Sequence, residues 1–407
     1  MPQGLHLLIA AQFASALADN ALLIVTIALL QQQGAPLWWA PLLKLGFTLA
    51  YVLLAPFVGP IADAFPKARL MAWMNGVKLL GTGALLAGLN PVLAFAIVGL
   101  GASAYAPAKY GLVTELVKPH QLVKANGWLE VTVVCAALLG AALGGVLVSP
   151  WLLGLLPAGV GLRGPVLGLI AVYLLAGLLN LGIPDSGARY PRSGINPLQL
   201  TREFWRDHLR LWRDADGGLS LAATTLFWGA AATLQFAVLR WAADVLDLPL
   251  DRAAGLQAVV ALGVVIGAAA AGRWVPLHAA KRMLGLGVLL GLVMAAAAST
   301  ASLAPAVVLL ALVGAVGGLL VVPLNALLQH RGCVLLSAGR SIAVQGFNEN
   351  ASVLLMLCLY AALLALELPI VPLIQGLGLF IGSAIGLLMW REKRRLWVAS
   401  RRVLSNP

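Results

Sequence analysis

Twelve apolar runs, almost empty of charge, decide what this chain can fold into. They cover about residues 5–31, 38–60, 70–89, 91–115, 126–149, 163–183, 219–243, 254–276, 282–300, 304–328, 339–364 and 367–390. A hydrocarbon core about 30 Å thick is crossed by about 20 apolar residues of helix. Backbone groups in lipid find partners only within such a helix or a closed barrel. Each run is therefore predicted as one spanning helix, and the chain as an all-α membrane protein with 12 transmembrane helices. Only 10% of its residues are charged, against about 25% in soluble domains.

The formal net charge of +12 would suggest nucleic acid in a soluble protein. Here orientation accounts for it and no nucleic-acid partner is expected. With both termini cytoplasmic, 22 of the 27 Lys and Arg fall in inward-facing segments. They include Lys67, Arg69, Lys109, Lys118 and Lys124, then Arg189, Arg192, Arg202, Arg206, Arg210 and Arg213. Arg273, Lys281, Arg282, Arg331, Arg340 and the basic tail from Arg391 to Arg402 complete the set. Only Lys44, Lys78, Arg163, Arg240 and Arg252 fall elsewhere. Positive residues stay inside.

Several polar residues sit within the spans, where an ionisable group is costly and marks function or pairing. In the first span Gln12, Ser15, Asp19 and Thr26 share a helix face, with Asn20 beside Asp19. Lys78 of the third span is the candidate partner of Asp19. The fifth span opens with Lys124-Ala125-Asn126-Gly127-Trp128-Leu129-Glu130, and the eleventh repeats the order amide, Gly, aromatic, any residue, Glu as Gln345-Gly346-Phe347-Asn348-Glu349. Amide and carboxylate four apart share one face. These Glu residues either serve a substrate or tie helices together.

The second span ends in Gly59-Pro60-Ile61-Ala62-Asp63-Ala64-Phe65-Pro66-Lys67-Ala68-Arg69. This resembles the loop 2–3 signature of the major facilitator superfamily, with a weaker copy at Gly267, Gly272-Arg273 and Lys281-Arg282 that lacks the Asp. The resemblance implies two parallel six-helix repeats: residues 1–183 and 219–390, a basic linker over 184–218 and a basic cytoplasmic tail over 391–407. Within the linker, Pro197–Asp214 reads equally as an amphipathic helix on the anionic leaflet or as a solvated connection. In that fold spans 1, 4, 7 and 10 line a central cavity and 5 and 11 flank it. Asp19, Lys109, Glu130, Arg240, Asn325 and Glu349 stand on those spans.

No GxxxxGK[ST] loop, nucleophile elbow, acyltransferase His–Asp pattern or metal-spaced His pair occurs, so neither ATP-driven pumping nor catalysis is expected. No cofactor or metal is expected. Cys135, Cys333 and Cys358 are scattered, the second assigned to a cytoplasmic loop, and build no disulfide framework. The N-terminus lacks the basic start of a cleavable signal.

Longer segments resemble the bacterial lysophospholipid transporter family. They are Ala18–Leu23, Ala55–Gly59, Asn75–Gly81, Pro107–Gly111, Leu122–Gly127, Leu226–Ala230, Val321–Gln329, Ile342–Gln345 and Glu349-Asn350. The resemblance implies movement of lysophosphatidylethanolamine and lysophosphatidylglycerol from the outer to the inner leaflet of the Gram-negative inner membrane. A separate acyltransferase/acyl-carrier-protein synthetase then reacylates them. One departure is Gln235, where that family carries a basic residue; Arg240 is the nearest replacement. The expected polar site is Asp19, Asn20, Asn126, Glu130, Gln345, Glu349 and Asn350, with Lys78 or Lys109 balancing charge and Gln235 and Arg240 as further candidates. Asp63, Lys67 and Arg69 are expected to gate the cytoplasmic side of a monomeric flippase embedded among membrane lipids. A proton-coupled drug or metabolite antiporter of the same superfamily is the alternative, since carboxylates in spans serve proton coupling equally well and fold does not fix substrate.

Overall fold

The computed structural model describes residues 3–36, 39–157, 159–191, 194 and 196–404. Among them the chain forms α1 (Gln3–Gln32), α2 (Trp39–Leu53), α3 (Ala55–Ala64), α4 (Lys67–Leu86), α5 (Pro91–Leu116), α6 (Leu122–Leu147), α7 (Pro150–Leu155) and α8 (Arg163–Leu181). Then come α9 (Pro197–Arg213), α10 (Ala215–Leu246), α11 (Leu250–Trp274), α12 (Gly285–Ala298), α13 (Leu303–Leu335), α14 (Ala338–Ala365) and α15 (Ile370–Leu404). Short 3-10 turns at Pro119–Gln121 and Leu277–Leu284 lead into α6 and α12.

Ten stretches of helix among the described residues are long and apolar enough to cross a membrane. A broken span makes eleven: α2 and α3 meet at 65°. The break follows from Pro56, which has no N–H to give to the carbonyl four residues back and whose ring crowds it. The helix expected as the third span, α4, is not among them, because it carries Lys67, Arg69, Asn75 and Lys78.

Of the two readings of the linker the structure has the helix: α9 fills much of it, and α10 starts at Ala215. Arg192, counted in the linker, lies outside the described residues. The basic tail continues α15 to Leu404, with no Gly or Pro between Gly386 and Leu404. Cys333 lies in the last turns of α13, not in a loop.

Small residues set how closely the helices approach, as expected where lipid offers no hydrophobic drive. A Cβ on Gly140 of α6 would lie 2.6 Å from the Leu17 carbonyl oxygen of α1. Gly127 in the fifth-span motif has the same role across the molecule: a Cβ there would lie 2.8 Å from the Ala268 carbonyl oxygen of α11. The helices before α9 and those after it also meet where α5 and α3 pack on α14 and α6 on α13.

Helix α9 starts where the Asn196 side chain accepts the Leu198 N–H, an N-cap followed by Pro197 at the first position. Phe204, Asp207 and Leu211 are buried against α3, α10, α13 and α14, so this face belongs to the bundle and not to a free linker. Trp205, Leu209 and Trp212 are exposed among Arg202, Arg206, Arg210 and Arg213, while Trp212 Nε1 donates to Asn348 Oδ1 of α14 at 3.2 Å.

Candidate functional site

Helices α4 and α8 converge on one carboxylate of α1. Lys78 Nζ of α4 donates to Asp19 Oδ2 at 2.7 Å and to Ser15 Oγ at 2.9 Å. The Tyr173 hydroxyl of α8 donates to Asp19 Oδ1 at 2.8 Å. Ser15 Oγ passes its own hydrogen to Asn75 Oδ1 at 2.8 Å. The Tyr105 and Tyr173 rings stand 5.1 and 5.8 Å from the ammonium. Both oxygens of Asp19 and most of the Lys78 donors are used, which is what a buried ion pair requires to be tolerated.

This network forms one wall of a cavity of about 320 Å³. From α1 come Ser15, Asp19 and Asn20; from α2, Lys44, Phe47 and Tyr51; from α5, Tyr105 and Lys109; from α6, Val133 and Ala137. Lys109 Nζ lies 4.2 Å from the centre of the Tyr110 ring. The lining therefore carries three lysines and one carboxylate among aromatic and apolar walls. Asp19, Asn20, Lys78 and Lys109 line this cavity together.

The other expected site residues do not line this cavity. Asn126 Nδ2 donates to Gln329 Oε1 at 2.8 Å and Gln329 Nε2 returns a bond to Asn126 Oδ1 at 2.9 Å, joining α6 to α13. Gln345 Nε2 donates to Asn325 Oδ1 at 3.0 Å and to Glu349 Oε1 at 2.8 Å. The two motif copies are thus not equivalent: only the second closes its amide on its own carboxylate. Glu130 is buried with Lys109 as its electrostatic neighbour. Asn350 Nδ2 bonds to the Gly346 carbonyl of its own helix. Gln235 is exposed, its backbone carbonyl taking a bond from Gln257. Arg240, also exposed, is held by Asp244 at 3.1 Å and does not take the place of a cavity cation.

At the end of the bundle that carries α9, the two sets of helices are tied together. Asp63 accepts from the Ser337 hydroxyl and from the backbone N–H of Gly339 and Arg340. Lys67 pairs with Glu115 at 2.6 Å and approaches Asp63 at 3.6 Å. Arg340 reaches α9 at Glu203 (2.5 Å) and Asp207 (2.8 Å), and Arg331 holds Asp214 at 2.6 Å. Hydrogen bonds from Gln199 and Arg340 hold the Glu203 carboxyl below its ordinary range, and the bond from Arg331 does the same for Asp214. Arg69 is exposed and lines a crevice with Lys67 and Asp185.

The sequence profile of the Major Facilitator Superfamily matches residues 8–333. Over 397 residues the chain is 42% identical to the lysophospholipid transporter LplT of Escherichia coli O1:K1 / APEC, covering 97% of this chain and 96% of the relative. The chain belongs to the lysophospholipid transporter family of the major facilitator superfamily. Solved structures agree on the fold. A bacterial homologue of the iron transporter ferroportin, in an outward-facing state, aligns at a TM-score of 0.71 and 17% identity over 97% of this chain and 99% of that one. FucP, in the outward conformation, aligns at 0.71 and 16% over 95% and 98%.

Several residues of this transporter's networks escaped the sequence reading. Gln329 follows Asn325 by four, a spacing that places both on one face of α13. Glu115, Glu203, Asp207 and Asp214 have no signal of their own, because a carboxylate at a polar boundary is ordinary. Lys44 was grouped with the few cations outside the inward-facing segments, and nothing in that grouping points it into a cavity.

Proposed function

We propose that this transporter moves lysophospholipids, chiefly lysophosphatidylethanolamine and lysophosphatidylglycerol, from the outer to the inner leaflet of a Gram-negative inner membrane by alternating access. The observation that carries the reading is the cavity in which Asp19, Lys78, Lys109 and Lys44 stand among Tyr51, Tyr105 and Phe47. A phosphodiester headgroup brings a charge that hydrocarbon penalises by several kcal/mol. Lysine ammonium groups take over its hydration with charge-assisted bonds, and the Asp19 carboxylate suits an ammonium headgroup.

In this reading α4 is the third of twelve spans, its charges directed into the protein. Residues 1–183 and 219–390 are the two six-helix units, 184–218 the linker and 391–407 the tail. Both termini and α9 are cytoplasmic, which the concentration of Arg on α9 and after Trp390 supports. The ties at Asp63, Lys67 and Arg340 then close the cytoplasmic side, and the cavity serves the outer leaflet. The single acyl chain stays against the apolar outside of the bundle while the head is carried. Asn126, Glu130, Gln345, Glu349 and Asn350 lie where the two units must separate, and we assign them to the passage of the head toward the cytoplasm.

The protein performs no covalent chemistry in this reading and works as a monomer; reacylation belongs to a separate acyltransferase/acyl-carrier-protein synthetase. The test is purified protein in liposomes with fluorescent lysophosphatidylethanolamine in one leaflet. Faster movement of the single-chain lipid than of a diacyl lipid, against empty vesicles, is the expected result; equal rates for all three would overturn it.

A further inference from the structure

Three lysines line the cavity, and they are not equally available. Lys78 is committed to Asp19 and Ser15 at 2.7 and 2.9 Å. Lys109 is buried, lies over the Tyr110 ring and has Glu130 as its electrostatic neighbour. Lys44 is exposed, and no ion pair or hydrogen bond holds its ammonium among the described residues.

Its position on α2 gives that free cation a direction. Lys44, Phe47 and Tyr51 follow the i, i+3, i+7 spacing of one helix face, and all three line the cavity. The adjacent face of α2 carries Leu45, Leu49 and Leu53, all exposed on the outside of the bundle. Tyr51 and Asp19 line the same cavity; Lys44 lies seven residues before Tyr51 along α2, about 10 Å at the rise of an α-helix. The helix thus presents a cation on its cavity side and an apolar strip on its outer side.

We propose that Lys44 is the docking residue for the substrate's phosphate: it takes the anionic phosphodiester of a single-chain lipid as the headgroup turns into the cavity, while the acyl chain remains along Leu45, Leu49 and Leu53. This rests on the reading of the cavity as a lysophospholipid headgroup site, and it assigns within that site which cation receives the ligand first. Lys78 then has a different task, keeping Asp19 charged and in place. A headgroup with net negative charge depends on Lys44 more than a zwitterionic one, because the ethanolamine ammonium offsets part of the field that the lysine answers.

The test uses the full-length protein in liposomes, with initial rates of lysophosphatidylglycerol and lysophosphatidylethanolamine movement measured over a range of substrate. Lys44→Gln should raise the KM for lysophosphatidylglycerol about tenfold, the size expected for one charge-assisted bond. The rise for lysophosphatidylethanolamine should be smaller, and kcat should stay within about twofold, the pattern of lost uniform binding. Lys44→Arg should keep both KM values near wild type. If Lys44→Gln is not monodisperse, Lys44→Cys, in a background with the three native cysteines changed to Ser, is measured before and after an amine-bearing thiol reagent restores the charge; the restored charge should lower the KM. An unchanged KM in the charge-removed protein, or a fall in kcat alone, overturns the assignment of Lys44 and leaves the cavity reading intact. A wild-type protein that moves neither lipid faster than empty vesicles overturns the cavity reading, and the Lys44 assignment with it.

Discussion

Asp63 and Gly339 are 276 residues apart in the chain, yet the Gly339 N–H donates to Asp63 Oδ1 at 2.8 Å. The carboxylate closes the N-terminus of α14, where unsatisfied N–H groups and the helix dipole favour a negative charge. Asp63→Asn keeps the shape and removes the charge, a loss of roughly 0.3–2 kcal/mol. We expect transport to slow about fivefold while substrate KM changes less than about twofold, as for a gate and not a binding residue. Cys333, which meets Thr114 of α5 at 4.0 Å across the same junction, is a native reporter: with Cys135 and Cys358 changed to Ser, its labelling by a thiol reagent should accelerate in the variant. A larger effect on KM than on rate would contradict the gating role.

Asp19 and Lys78 form a pair whose separate loss costs more than its joint loss. Asp19→Asn leaves a buried ammonium without its counter-charge, a penalty of about 3–5 kcal/mol. The double variant Asp19→Asn with Lys78→Met should recover much of that. Thermal unfolding of all four proteins in detergent gives the coupling; additive losses would mean the two side chains act independently.

Acid should loosen α9. Glu203 and Asp214 have carboxyl groups held below their ordinary range, so their stabilising contribution is complete above about pH 4 and fades as pH falls through the lowered values. His208 adds an earlier step. Burial pushes its imidazole down, so the unfolded chain takes a proton before the folded one does, and stability begins to fall below about pH 6.5. Limited proteolysis of α9 should be slow at pH 7.5, faster at pH 5.5 and fastest near pH 3.5. Arg340→Gln, which removes the partner of Glu203 and Asp207, should show fast cleavage at pH 7.5. Cleavage independent of pH and of Arg340 would mean these ion pairs do not hold the helix.

Gly140 sets the distance between α1 and α6. A Cβ there would lie 2.6 Å from the Leu17 carbonyl oxygen and 2.8 Å from Asn20 Cβ. Neither neighbour is a free side-chain end, so Gly140→Val must part the helices, at about 1–3 kcal/mol. A lower unfolding temperature is expected, together with weaker transport, because Asn20 and Asp19 move with α1. Gly145, whose added Cβ would meet nothing within 4 Å, is the control position.

What the sequence made legible followed from cost. The run at 91–115 became α5, Pro91–Leu116, because a bilayer leaves an apolar segment of that length little else to do. Asp19 and Lys78 were expected to meet for the same reason: each is expensive in hydrocarbon alone. The reciprocal bonds of Asn126 and Gln329 were not foreseeable, since amides carry no sign that dictates a partner. The break at Leu54 rests on Pro56, and proline is so common in spans that its presence alone does not announce a bend. The docked face of α9 depends on Phe204 and Leu211 finding space between α3, α10, α13 and α14, a property of the assembled bundle.

The Asn126–Gln329 bridge has a kinetic meaning. Its two bonds satisfy each other and involve no net charge, so water can replace both at a net cost of only about 1 kcal/mol each. A fastener of this kind releases at a rate that neither salt nor membrane voltage governs, because no charge is uncovered when it parts. The ion pair at Asp19 lies wholly among helices that precede α9 and can stay shut while the bridge cycles. At this seam the parting groups are neutral, while the charged pair inside the first set of helices holds its place.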